Sequence, residues 1–219
     1  SAASDVYKRQ SVLNEAKNRE MPFIDATCPL VIKVHNEAKR LHKDGAHIFL
    51  IGHEGHPEVI GTMGQIPQDA ITLIQKKEDI KKIDNNNYGK VALITQTTLS
   101  VDDTKEIIED LKNIFPEIIQ PPKEDICYAT TNRQLAIKSI ANDCDLIYVI
   151  GANNSSNSLR LVEVGKKSGC KQTHLISDVS EVNWQEIEKE QKIGLTAGAS
   201  APDILLSLIH ISEPTRLRH

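Results

Sequence analysis

Aromatic residues are scarce in this 219-residue sequence, where three Phe, four Tyr and one Trp amount to 4%. Neither charge sign dominates, since 26 Lys and Arg stand against 30 Asp and Glu for a formal charge of −4. A general nucleic-acid surface needs a basic face with stacking platforms, so both shortages argue against one. Long apolar runs are missing too: the stretch 146–152 is among the most apolar, and a bilayer needs about 20 such residues. No basic segment precedes an apolar stretch near the first residue, so the expectation is a cytoplasmic protein with no membrane partner. Four cysteines at irregular spacing are too few for a disulfide scaffold, which leaves metal ligands, nucleophiles or core thiols.

What remains is an ordinary globular composition, 39% hydrophobic and 26% charged, in a chain long enough for one large domain or two small ones. Residues 1–10 (SAASDVYKRQ) and 207–219 carry no periodic apolar pattern and resemble adapter sequence, so the fold is sought in the intervening chain. Five times an apolar run ends in a small, polar cluster: 23–28, 48–53, 91–96, 146–151 and 193–197. Such runs suit strands covered on both faces, and helical patterns follow them with Pro29, Ser100-Val-Asp-Asp103 and Ser200-Ala-Pro-Asp203 as start signals. The expected class is α/β with small, mostly parallel sheets.

An internal repeat supports this reading. Cys28 and Gly52 are 24 positions apart, as are Cys127 and Gly151, and the two copies are offset by 99. Each copy reads cysteine, helix, strand, glycine-led turn. Pro121-Pro122 marks the expected boundary between an α/β domain at 29–122 and another at 123–206, with 11–28 as the remnant of an earlier one.

Ligands of doubly wound sheets bind beyond the carboxyl ends of the strands, where all the unusual polar clusters of this sequence fall. Asn153-Asn-Ser-Ser-Asn-Ser158 has more hydroxyls and amides than a helix cap needs, which suits a phosphate cradle. His53-Glu-Gly-His-Pro-Glu58 lacks the helical histidine pair of a zincin and fits proton chemistry better, by a buried glutamate beside a histidine. Gln96-Thr97-Thr98 can hydrogen-bond a hydroxyl or relay a proton. Cys28 and Cys127 occupy equivalent strand ends and point to one shared object, although two thiols are too few for zinc or an iron–sulfur cluster. Cys144 and Cys170 hold no such position and read as structural.

Six ordered motifs, Asp25-Ala-Thr-Cys-Pro-Leu-Val31, Gly52-His-Glu-Gly-His-Pro-Glu58, Thr95-Gln-Thr-Thr-Leu-Ser100, Asp125-Ile-Cys-Tyr-Ala-Thr-Thr-Asn-Arg-Gln134, Gly151-Ala-Asn-Asn-Ser-Ser-Asn-Ser158 and Ala197-Gly-Ala-Ser-Ala-Pro202, resemble those of the 4-hydroxy-3-methylbut-2-enyl diphosphate reductases, the IspH or LytB family. The resemblance implies a trefoil of three pseudo-repeated α/β domains, about two of them present here, around a [4Fe-4S] cluster held by one cysteine per domain. It implies Cys28 and Cys127 as cluster ligands and His56, Thr97, Ser155, Ser156, Asn157 and Ser200 as contacts to a small diphosphate substrate. Glu58 would deliver protons together with Thr97, and reduced ferredoxin or flavodoxin would supply electrons. The family's first cysteine and two further histidines have no counterpart in these residues. Two other readings compete: another trefoil iron–sulfur enzyme resembling quinolinate synthase, and a cluster-free phosphate-binding α/β module.

Overall fold

The computed structural model describes residues 10–22, 24–25, 27–122, 124–187, 192–202, 204–205 and 207. Its contacts divide the chain into two compact units, Ser1–Thr97 with Asp102–Cys127, and Thr98–Val101 with Tyr128–His219. Each is built on a three-stranded parallel sheet.

In the first unit the described chain begins with α1 (Gln10–Asn18) and α2 (Pro29–Lys43) and then enters β1 (His47–Ile51). It continues through α3 (Pro57–Met63), β2 (Ile71–Ile74), α4 (Lys77–Ile80), β3 (Val91–Thr95) and α5 (Val101–Ile114). The strand order is β2-β1-β3, all parallel. Pro29 opens α2, where its missing N–H is no loss, and Val31, Val34, Ala38 and Leu41 recur at helical spacing on its buried face. That face packs with Ile48, Leu50 and Ile94 of the sheet. On alternate positions Phe49 meets Tyr88 and Phe115, with ring centroids 5.4 and 5.3 Å away.

The second unit repeats the plan as α6 (Tyr128–Ala141), β4 (Leu146–Ile150), α7 (Ser156–Lys167), β5 (Gln172–Ile176), α8 (Trp184–Ile187) and β6 (Ile193–Ala197), with parallel order β5-β4-β6. The central strand β4 is buried at all five positions. Ile147 and Val149 face the α6 and α7 residues Ile137, Ala141 and Leu161, while Leu146, Tyr148 and Ile150 pack with Val182 and Trp184. Burial on both faces is why this strand reads as an unbroken apolar run.

Four of the five strand-like runs are strands. The first, 23–28, is not: Phe23 and Ala26 lie outside the described residues, and the others carry no strand. Ile24 is 90% exposed, and a lone extended segment with no ladder beside it is not a strand. Strands β2 and β5 were absent from the expectations. In β5 Gln172 and His174 are exposed while Thr173 and Ile176 are buried, so polar residues break up the continuous apolar run. The tails at 1–10 and 207–219 lie outside the described residues except for Gln10 and Ser207, and so does Asp203 of the expected helix start. No described helix is long and apolar enough to cross a membrane.

Candidate functional site

In the first unit the chemistry sits at the carboxyl ends of β1 and β3. The chain leaves β1 through Gly52, which has no room for a side chain: a Cβ there would lie 2.5 Å from Val59 Cγ2. The strand end can therefore press against the first turn of α3. Gly55, at φ +79°, then takes a left-handed conformation that favours glycine. This turn delivers His56 as the N-cap of α3 and Pro57 as its first residue. The Gln96 side chain holds the loop from the neighbouring strand by accepting the His53 N–H at 3.0 Å.

Glu58 is completely buried. Its Oε1 accepts the Thr97 N–H at 2.6 Å, and its Oε2 lies 3.1 Å from Thr97 Oγ1. Burial pushes its carboxyl up to about 7, against the two Thr97 hydrogen bonds, which pull it down, and with a small push from Asp125. An amide N–H can only donate, so the proton of the neutral acid resides on Oε2. From there it can pass to Thr97 Oγ1 while the threonine hydroxyl hands its own proton onward. A carboxyl poised near neutral pH with a hydroxyl on its proton-bearing oxygen is a competent general acid. Glu54, only four positions away, is exposed.

His56 Nδ1 accepts the Glu58 N–H at 3.2 Å. With Nδ1 so engaged the neutral ring carries its proton on Nε2. Burial, helped by His53, lowers its pKa and favours that neutral, single-donor form.

Cys28 is the N-cap of α2, exposed and without a side-chain capping bond. Cys127 directly precedes α6, is half-buried, and its N–H donates to Thr97 O at 3.0 Å. The buried Asp125 accepts the Thr95 N–H at 3.0 Å and pairs with Lys33 at 3.1 Å. It thus ties the segment before Cys127 to the end of β3 and to the helix that Cys28 begins. Cys144 and Cys170 pack instead with the apolar cluster of the second unit. No group of three or more His, Cys, Asp or Glu able to hold a metal ion occurs among the described residues.

In the second unit the corresponding strand end, Gly151, leads to α7. Ser155 is the N-cap, its Oγ accepting the Ser158 N–H at 3.3 Å. Ser156 Oγ accepts from Thr98 Oγ1 at 3.0 Å. Asn157 is only 6% exposed, yet neither its amide nitrogen nor its amide oxygen has a partner among the described residues. Leaving such groups unpaired costs roughly 1–3 kcal/mol each, a deficit that a ligand would relieve. Ser200 is exposed in the turn after β6. Open backbone N–H groups, hydroxyls and an unsatisfied amide at a helix N-terminus favour an anion.

Sequence reasoning singled out His56, Glu58, Thr97 and the serine cluster. It missed the hydrogen-bonding parts of Asp125 and Thr98, whose partners, 30 and 58 positions away in sequence, leave no local pattern.

Parallel α/β units with a buried acid beyond the strand ends of one and a cluster of hydroxyls and an amide beyond a strand end of the other have the arrangement at which α/β proteins bind small ligands. Comparison with known proteins narrows this. The model of the family described as LytB protein matches residues 8–211, and the chain belongs to that family. It is 53% identical over 197 residues to the 4-hydroxy-3-methylbut-2-enyl diphosphate reductase of Paracoccus denitrificans, covering 90% of this chain and 62% of the relative. It is 50% identical over 198 residues to the enzyme of the same name from Ruegeria sp. strain TM1040, covering 90% and 63%. Among solved structures, the E-1-hydroxy-2-methyl-but-2-enyl-4-diphosphate reductase of Plasmodium falciparum superposes with a TM-score of 0.89 at 36% identity, over 95% of this chain and 66% of that one. The chain thus spans a little over three fifths of the length of these curated relatives.

Proposed function

We propose that this chain carries the proton-delivery and diphosphate-binding parts of a cytoplasmic 4-hydroxy-3-methylbut-2-enyl diphosphate reductase, the activity for which its relatives are named. The reaction is the reductive removal of an allylic hydroxyl to give isopentenyl and dimethylallyl diphosphate. The C–O bond breaks, the oxygen leaves as water, and two electrons and a proton are added to the allyl fragment. The domain reading goes with it: 29–122 and 123–206 as two of three α/β repeats, 11–28 as part of another, and the tails at 1–10 and 207–219 outside these repeats.

The observation that carries this reading is the buried Glu58 carboxyl, held by Thr97 and raised to about 7. Near neutral pH both its protonated and its ionised forms are populated, as a group that gives up and regains a proton requires. Thr97 would hydrogen-bond the substrate hydroxyl and pass the Glu58 proton to the departing oxygen. His56 would donate from Nε2 to the diphosphate. Ser155, Ser156, Asn157 and Ser200 would hold it as well, with the unpaired Asn157 amide donating to a phosphate oxygen.

Cys28 and Cys127 suit an iron–sulfur centre, because both are thiols outside any disulfide and each lies immediately before a helix. They would supply two thiolates to a [4Fe-4S] cluster, and the reading needs one more. When bound, such a cluster supplies the route by which electrons from reduced ferredoxin or flavodoxin enter.

The test is Glu58→Gln in the full-length enzyme, assayed anaerobically by oxidation of a reduced viologen dye with iron content matched. Turnover should fall by about 10² to 10⁴ with cluster and substrate binding kept, and Glu54→Gln should change little. Normal turnover by Glu58→Gln together with loss in Glu54→Gln overturns the assignment.

A further inference from the structure

Ser158 lies inside the first turn of α7, fully buried, where no ligand can reach it. Its hydroxyl occupies a notch between two glycines, since a Cβ on either Gly151 or Gly198 would come within 2.1 Å of Ser158 Oγ. Neither strand end therefore tolerates a side chain without displacing this hydroxyl. Its partner is Ser155 Oγ, 3.0 Å away, which also accepts the Ser158 N–H.

The direction of the hydroxyl pair follows from burial. If Ser155 donated to Ser158, the buried Ser158 proton would have no acceptor among the described residues, at the cost of an unmade hydrogen bond in a dry site. Ser158 therefore donates. Ser155 Oγ, accepting from both the hydroxyl and the N–H of Ser158, has only its own proton left to give. That proton is directed away from the helix turn.

From this we infer that Ser158 is a positioning residue: it fixes the rotor of the Ser155 hydroxyl so that the site presents a donor, and selects a fully deprotonated phosphate oxygen over a protonated one. The inference rests on the diphosphate reading of Ser155 and extends it to a residue that touches no ligand. A hydroxyl left to rotate would offer lone pair and proton alike, repelling an anion in the first orientation.

The experiment is a double-mutant cycle on this chain, read by calorimetric titration of inorganic pyrophosphate between pH 6 and pH 9. Ser155→Ala and Ser158→Ala should each weaken binding by about fivefold, the scale of one hydrogen bond, and the double variant should be no weaker than Ser155→Ala alone. Binding by the unaltered chain should tighten as the pH rises and the ligand loses its last protons, with a smaller gain in Ser158→Ala. Ser158→Cys keeps the shape with a weaker donor and should fall between, which guards against a packing defect in the alanine variant. If Ser155→Ala weakens binding but Ser158→Ala does not, or if the two losses multiply, Ser158 does not act through Ser155 and the inference fails while the diphosphate reading stands. If Ser155→Ala has no effect, both fall.

Discussion

Replacing Glu58 with glutamine should make the folded chain more stable in alkaline solution while damaging the chemistry proposed for it. The carboxyl is moved from its ordinary 4.5 to about 7, and at about 1.4 kcal/mol per decade the buried carboxylate is disfavoured by roughly 3 kcal/mol relative to the acid. Between these two values the folded chain holds a proton that the unfolded chain has released. Stability is therefore full below pH 4.5, falls as the pH rises, and has lost the whole contribution above about 7. A glutamine can match the neutral acid, with its carbonyl oxygen accepting the Thr97 N–H and its amide donating to Thr97 Oγ1, and it has nothing to ionise. Urea unfolding at pH 5 and pH 8.5 should show the difference between Glu58→Gln and the parent growing by roughly 2 to 3 kcal/mol in favour of the variant. Contributions from titrating groups that do not interact with Glu58, such as His35, cancel in that difference. A difference that stays constant, or grows in the opposite sense, refutes a Glu58 carboxyl raised by burial.

Two more predictions concern other groups. His35 is held near 4, chiefly by burial and then by Lys39, against the pull of Asp25; it contributes stability that is present above 6.5 and lost as the pH falls toward 4, so His35→Leu should flatten the acid limb of a stability profile by up to about 3 kcal/mol, and an unchanged limb counts against it. In the full-length protein Cys28→Ser or Cys127→Ser should lower bound iron and sulfide severalfold, whereas Cys144→Ser should not; equal iron in all three removes the two thiols from the cluster proposal.

Much of the molecule could be read from its residues because four of the strands are compact apolar runs with clear ends. β1, β3, β4 and β6 end in glycine or polar clusters after apolar runs, and the helices behind them begin at proline or at small polar caps. Strands β2 and β5 were harder, since Thr72 interrupts the first and Gln172, Thr173 and His174 dilute the second, leaving no continuous apolar run. At the site, His56, Glu58, Thr97 and the serines stood out as residue types in short motifs. The pairing of Glu58 with Thr97 spans 39 positions and depends on β1 and β3 being neighbours in the sheet. No local pattern encodes that. Nor does composition reveal that a carboxyl is buried deeply enough to move to about 7, because the surrounding apolar side chains come from several separate segments.

The glycine notch has a longer reach. Gly52 presses on Val59 in one unit as Gly151 presses on Ser158 in the other, and the members of each pair are displaced by the same 99 positions. By that offset His56 corresponds to Ser155, each the N-cap of its helix, and Glu58 corresponds to Asn157, each buried. A single backbone device has thus been kept in duplicate while its three occupants diverged: imidazole, acid and valine in one copy, hydroxyl, amide and hydroxyl in the other. On the reading proposed above, the acid of one copy serves proton transfer and the N-cap side chains of both serve the anion, so the roles differ by side chain on a shared backbone turn. The close strand-to-helix approach that both copies share leaves no room for a side chain at Gly52 or Gly151, so chemistry at these turns is carried by the helix side of each pair.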